Sequence, residues 1–122
     1  MSLAPANYQQ VGATSGNVAA AIATASLPVV AGRTTYLTSF DLTGSGATAG
    51  AAVIVTITGL AIGTQSYIYT AATGATVGNT PLSIQFPNPL PASAVNTPIV
   101  ITCPSLGAGN TNNVVNIRGY QL

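Results

Sequence analysis

The sequence predicts an all-β chain: a single-domain antiparallel β-sandwich of seven or eight strands, with jelly-roll or Greek-key topology. Three observations predict it. Apolar residues recur with a period of two in several short runs rich in Val, Ile, Thr and aromatic residues, the pattern of strands with one buried face. Segments rich in Gly, Pro, Asn and Ser separate those runs at the spacing of a sandwich. Long, proline-stiffened links at residues 27–32 and 87–98 suit strands that cross between sheets better than an up-and-down barrel. The 122 residues are enough for one domain with a real core and no stapling metal or disulfide.

Residues 1–16 show no sustained periodicity and read as an extended N-terminal arm, with a short strand around Tyr8 to Val11. Residues 17–122 then form the sandwich domain. Tyr8 and Val11 are apolar anchors that a frayed terminus does not need, so the arm either docks on its own or a neighbouring subunit or frays. Residues 17–25 are Ala-rich and could be a short helix. Their Thr, Val and Gly surroundings and their lack of charge favour a strand.

Residues 33–44 carry the strongest strand signal and two of the three charged side chains, Arg33 and Asp41. A period of two puts Tyr36, Thr38, Phe40 and Leu42 on a core face. Arg33, Thr35, Leu37, Ser39 and Asp41 fall on a polar face, where Leu37 is the exception. Residues 51–58 follow, with Val53, Val55 and Ile57 inward and Ile54, Thr56 and Thr58 outward. The tight connection Leu60-Ala-Ile-Gly63 joins them to a strand at 64–71 as a hairpin. In the run 80–86, Leu82, Ile84 and Phe86 point in, and Ser83 and Gln85 point out. Residues 87–91 (Pro-Asn-Pro-Leu-Pro) cannot be an inner strand and read as a stiff connection. Strands at 97–103 and 114–122 flank the turn-rich loop 105–113.

The residues that are missing bound the function. The chain has no His, Lys, Glu or Trp, one Asp and two Arg. A general acid–base pair cannot be built from that set, nor a zinc site, nor a surface that neutralises several phosphates. We therefore expect no enzyme activity from the chain alone, no catalytic or metal site, no cofactor and no nucleic-acid partner. Cys103, the single cysteine, cannot form an intramolecular disulfide, and at the end of an apolar run it reads as a small buried hydrophobe. The most apolar stretch, 18–30, is interrupted by Thr24, Ser26 and Pro28 and is too short to span a membrane. Residues 1–17 lack the basic region of a secretory signal, so no membrane partner and no export are expected. A net charge of +1 leaves little repulsion between copies, which suits a component of an oligomer or lattice.

On a continuous strand Arg33 and Asp41 lie roughly 26 Å apart, too far to pair. A C-terminal strand running antiparallel beside this one brings Arg118 to the polar face. An Arg118–Asp41 bridge then leaves Arg33 as the unpaired charge, free to meet a partner. Tyr8, Gln9 and Gln10 in the arm, and Asn110 and Asn112 in the last loop, are the other candidate assembly contacts. Tyr67 and Tyr69 share a strand face and form the alternative candidate, a stacking platform for a glycan.

The block Thr80-Pro-Leu-Ser-Ile-Gln-Phe-Pro-Asn-Pro-Leu-Pro-Ala-Ser-Ala-Val-Asn-Thr-Pro-Ile-Val-Ile-Thr-Cys-Pro-Ser-Leu-Gly-Ala-Gly-Asn-Thr-Asn-Asn113, with Arg33-Thr-Thr-Tyr-Leu-Thr-Ser-Phe-Asp-Leu-Thr-Gly-Ser-Gly-Ala-Thr48 upstream, resembles short structural proteins of tailed bacteriophages. In particular it is similar to the jelly-roll decoration, or cement, proteins on the heads of some short-tailed phages, including cyanophages. The likeness covers the chain from about Gly32 onward and rests on texture and segment order. It implies a virion protein on the outer surface of the capsid, trimeric, that stabilises the head by bridging the phage major capsid protein. Short phage β-sandwiches also occur in tails and fibres, where the corresponding function is binding of a host-surface glycan.

Overall fold

The computed structural model describes residues 9–74 and 81–122; Tyr8 and Thr80 fall outside them. Ten strands form among the described residues: β1 (Gln9–Thr14), β2 (Ala23–Ser26), β3 (Thr35–Ser45), β4 (Ala49–Gly50), β5 (Val53–Thr58), β6 (Gln65–Tyr69), β7 (Leu82–Pro91), β8 (Val100–Cys103), β9 (Gly107–Ala108) and β10 (Asn112–Gln121). One sheet has the order β1-β10-β3-β7, a second β2-β8-β5-β6, and β4 pairs with β9. All these strand pairs are antiparallel. With the two-residue β4 and β9 set aside, the first strand pairs with the last, the second with the seventh, the third with the sixth and the fourth with the fifth. That nested pairing is the jelly roll, and the long links at 27–34 and 92–99 carry the chain across between its sheets.

The core lies between the two sheets. Leu37, Phe40, Leu42, Val115 and Ile117 face it from one side, and Ala23, Ala25, Val55, Ile57, Ile101 and Cys103 from the other. Leu27, Leu60, Ile99 and Leu106 close it from the loops. Burial of each large aliphatic or Phe side chain contributes about 1.5–3 kcal/mol. The alternation expected in β5 holds, as does the inward set Leu82, Ile84 and Phe86, which packs half-buried on the core. The β5–β6 hairpin also forms, with Gly63 at φ +91° donating its N–H to the Leu60 carbonyl at 3.0 Å.

One expectation left open is decided and three others are corrected. Residues 9–14 of the arm are the strand β1, registered along β10 of the same chain, so over this stretch the arm is part of the sandwich. The strand expected at 17–25 starts only at Ala23, because Val18 and Ala20 donate their backbone N–H groups to Asn113 and Asn110 instead. The connection expected at 87–91 continues β7, as an edge strand in which residues 86–89 bulge out opposite Thr38. Edge pairing tolerates this because a proline on the outer edge leaves no ladder bond unmade.

The third correction concerns β3. Thr35 and Leu37 point inward and Tyr36 outward, the reverse of the expected phase, while Phe40 and Leu42 point inward as expected. A bulge separates the halves: Leu37 pairs with Gly119 and Ser39 with Arg118, so Thr38 has no opposite residue on β10. An extra residue in a strand shifts the alternation by one, which accounts for the exception at Leu37. Gly119 permits the bulge, since a Cβ there would lie 2.1 Å from the Tyr36 carbonyl oxygen. Thr38 Oγ1 caps it by donating to the Arg118 carbonyl at 3.1 Å.

Candidate functional site: an apolar loop end

The outer face of the β1-β10-β3-β7 sheet carries the paired charges. Asn116 stands opposite Asp41, and Arg118 two pairs further on, on the same face. Arg118 Nη2 donates to Asp41 Oδ2 at 2.8 Å, and Asn116 Nδ2 to Asp41 Oδ1 at 2.9 Å. Burial alone raises the Asp41 carboxyl, but the two hydrogen bonds and the Arg118 charge outweigh it and hold the carboxyl below its ordinary value. Beyond the bulge, Tyr36 and Tyr120 are cross-strand neighbours whose rings stack at 5.0 Å.

The end formed by the loops 15–22, 45–52 and 104–111 is amide-rich and internally bonded. Asn17 donates to Asn112 Oδ1 at 3.1 Å and accepts from the Asn113 N–H at 3.1 Å. Ser105 Oγ donates to Asn110 Oδ1 at 2.8 Å. Asn110 and Asn113 are fully buried.

The opposite end is built from the loops 27–34, 59–64 and 92–99. Backbone and side-chain bonds stitch them together. Gly32 N–H donates to Asn96 Oδ1 at 2.9 Å, Asn96 N–H to the Arg33 carbonyl at 3.2 Å, and Ser93 N–H to the Gly59 carbonyl at 2.8 Å. Gly59, at φ +90°, lies so close to Pro98 that a Cβ would sit 2.1 Å from its carbonyl oxygen. From this braced base the loops present Val29, Val30, Ile62 and Val95, with Ile62 58% and Val95 49% exposed. Four of the seven exposed large hydrophobics among the described residues therefore sit on one end of the sandwich. Exposed apolar residues gathered at one end are a candidate interaction surface, whereas singly scattered aliphatics need no explanation.

The residues singled out from the sequence fare unevenly. Tyr8 lies outside the described residues. Gln9 and Gln10 are exposed on β1, opposite Gln121 and Tyr120. Asn110 is corrected: it is buried and braces a loop, so it has no surface to offer a partner. Asn112 is exposed, but its amide is spent on Ser45 and Asn17. The Arg118–Asp41 bridge forms within the chain. The further inference that Arg33 is left unpaired fails, because Arg33 also has an interaction partner. The glycan platform fails too. Tyr67 and Tyr69 do share a face, but it is the inner one: Tyr69 is buried, and the Tyr67 ring packs on Phe40 at 5.5 Å. Cys103 is a free thiol in the core, its S–H on the Pro104 carbonyl, and burial pushes it up from the usual thiol range.

The loop end itself escaped the periodic reading, because no periodicity reports on turns. A signal was present. Val29 and Val30 between Pro28 and Gly32, Ile62 before Gly63, and Val95 before Asn96 are apolar residues at turn positions, where polar ones are usual. Comparison with known protein families, with characterised proteins and with solved structures finds no match for the chain.

Proposed function

We propose that the chain is a virion structural protein, a decoration protein that sits on the outer surface of a bacteriophage head and stabilises it by binding the major capsid protein. The observation that carries this reading is the apolar loop end, in which three stitched loops present Val29, Val30, Ile62 and Val95. A surface that holds one charged side chain, Arg33, binds chiefly by buried area and shape, so its partner is a largely apolar, amide-rich neighbour. The jelly-roll topology and the resemblance of the chain from about Gly32 onward to head decoration proteins support the same reading. Because so little charge is involved, attachment is nearly insensitive to ionic strength.

The test is attachment of the purified protein to expanded phage shells, followed by dialysis against low and high salt. Saturable binding that survives both salts, and that Ile62→Asp or Val95→Asp weakens tenfold or more, is the expected result. Release by salt alone sinks the mechanism. The alternative reading, a tail or fibre module that binds a glycan, rested on Tyr67 and Tyr69. With both rings turned to the core it keeps no observation in its favour.

A further inference from the structure

Gln121 closes β10 on the inner face of its sheet and is 0% exposed, an uncommon place for a carboxamide. Its Nε2 donates to the Pro28 carbonyl and, at 3.3 Å, to Thr35 Oγ1. The Pro28 carbonyl can only accept, which fixes the orientation of the amide. The two acceptors bracket the crossing loop 27–34, one at its entry from β2 and one just past its exit into β3. Gln121 Oε1, by contrast, is buried with no hydrogen-bond partner among the described residues. An unpaired buried acceptor offsets what the two donor bonds contribute, so stability alone gives little reason for an amide here.

The loops beside it are tied by their backbones. Ala61 N–H donates to the Pro91 carbonyl at 3.0 Å, Ala92 N–H to the Thr35 carbonyl at 2.8 Å and Ser93 N–H to the Gly59 carbonyl at 2.8 Å. In the loop 27–34 the backbone ties lie at the two ends, Leu27 N–H on the Ile99 carbonyl and Thr34 N–H on the Leu122 carbonyl, each at 2.9 Å. Pro28 has no N–H to add another, and it directly precedes Val29 and Val30.

We propose that Gln121 is a positioning residue for the apolar loop end: its carboxamide holds Pro28 and thereby sets the pose of Val29 and Val30. The proposal rests on the reading of that end as the attachment surface. A loop held in one pose needs less ordering when a partner docks. Once released, it offers the competent pose only part of the time, and the apparent affinity falls by that fraction.

Gln121→Met keeps the length and bulk of the side chain but has no donor. Amide hydrogen exchange on the free protein, thermal unfolding and a shell-binding isotherm test it together. Gly32 and Arg33 amides should exchange about tenfold faster while those of Ile57 and Ile101 in the core strands keep their rates. The midpoint should stay near that of wild type, and attachment should weaken about threefold or more. Gln121→Asn, one methylene shorter, breaks the same bond and takes its place if the methionine variant does not fold. Thr35→Val removes only the second bond and should leave both exchange and attachment unchanged. Unaltered exchange at Gly32 and Arg33 overturns the proposal. So does a uniform rise at every amide, which marks a purely structural role, or a loosened loop that attaches like wild type. Normal attachment of Ile62→Asp sinks the attachment reading instead, and exchange in the free chain then decides the hold on Pro28 by itself.

Discussion

Asp41 is the chain's only acidic side chain, and both its oxygens are taken, one by Arg118 and one by Asn116. The sign of its pH dependence follows. The folded carboxyl titrates below the unfolded one, so its contribution is fully present above the unfolded value near 4 and is lost as pH falls through the folded pKa. Arg118 is half exposed, which screens the pair, so the contribution is about 1 kcal/mol or less. Asp41→Asn should therefore lower the unfolding free energy by that amount at pH 7, with the gap to wild type closing as pH falls below the ordinary carboxyl value and through the lowered folded one. Urea titrations at the two pH values measure it, and a gap that persists in acid contradicts the assignment. Cys103 gives the opposite limb. Its folded thiol titrates above the unfolded one, so stability is lost as pH rises above about 8.5. Its burial also predicts that a thiol reagent modifies native protein only at the rate of opening, and denatured protein at once.

The bulge between β3 and β10 is the element on which the phase of the longest strand depends. Gly119→Ala puts a methyl group into the Tyr36 carbonyl at 2.1 Å, and the obstacle is backbone, so the bulge itself must move. A loss of about 2–4 kcal/mol is expected in equilibrium unfolding. Gly12→Ala on β1, whose nearest contact is the Ile117 carbonyl at an ordinary 3.4 Å, should fall within about 0.5 kcal/mol and serves as the control. This element also shows how far the sequence could be read. Where one residue follows the next in unbroken alternation, as in β5, the inward set was legible from Val53, Val55 and Ile57 alone. In β3 no single phase fits the whole strand, and Leu37 alone signals in the sequence that it changes. The register shift depends on a glycine about eighty residues away, on a strand whose pairing no local pattern specifies. The prolines of β7 misled for a related reason: they forbid an inner strand, but an edge strand bulging around them satisfies the same constraint. The loop end was the least legible, because its members come from three segments that only the crossing topology brings together.

At the scale of the whole molecule, the two ends of the sandwich are unlike. Among the described residues, one end is bonded within itself by Asn17, Asn110, Asn112 and Asn113, whose amides bond one another and the loop backbones. The other is braced by its backbone and turns aliphatic side chains outward. Polarity of this kind separates stability from attachment. Asn110→Ala removes the acceptor for Ser105 Oγ and one donor to the Asn112 carbonyl in a buried site, which costs about 1–3 kcal/mol. It touches nothing at the loop end, so shell attachment at a temperature well below the midpoint should be unchanged. Ile62→Asp combined with Val95→Asp acts in reverse. Both side chains are about half exposed or more, so unfolding should shift by only about 0.5 kcal/mol per site. A desolvated carboxylate in an apolar contact is costly, and attachment should fall at least tenfold. Thermal unfolding and a shell-binding isotherm on the same two variants decide the matter. If the asparagine variant loses binding in proportion to its stability while the aspartate pair binds normally, the apolar end is not the docking surface.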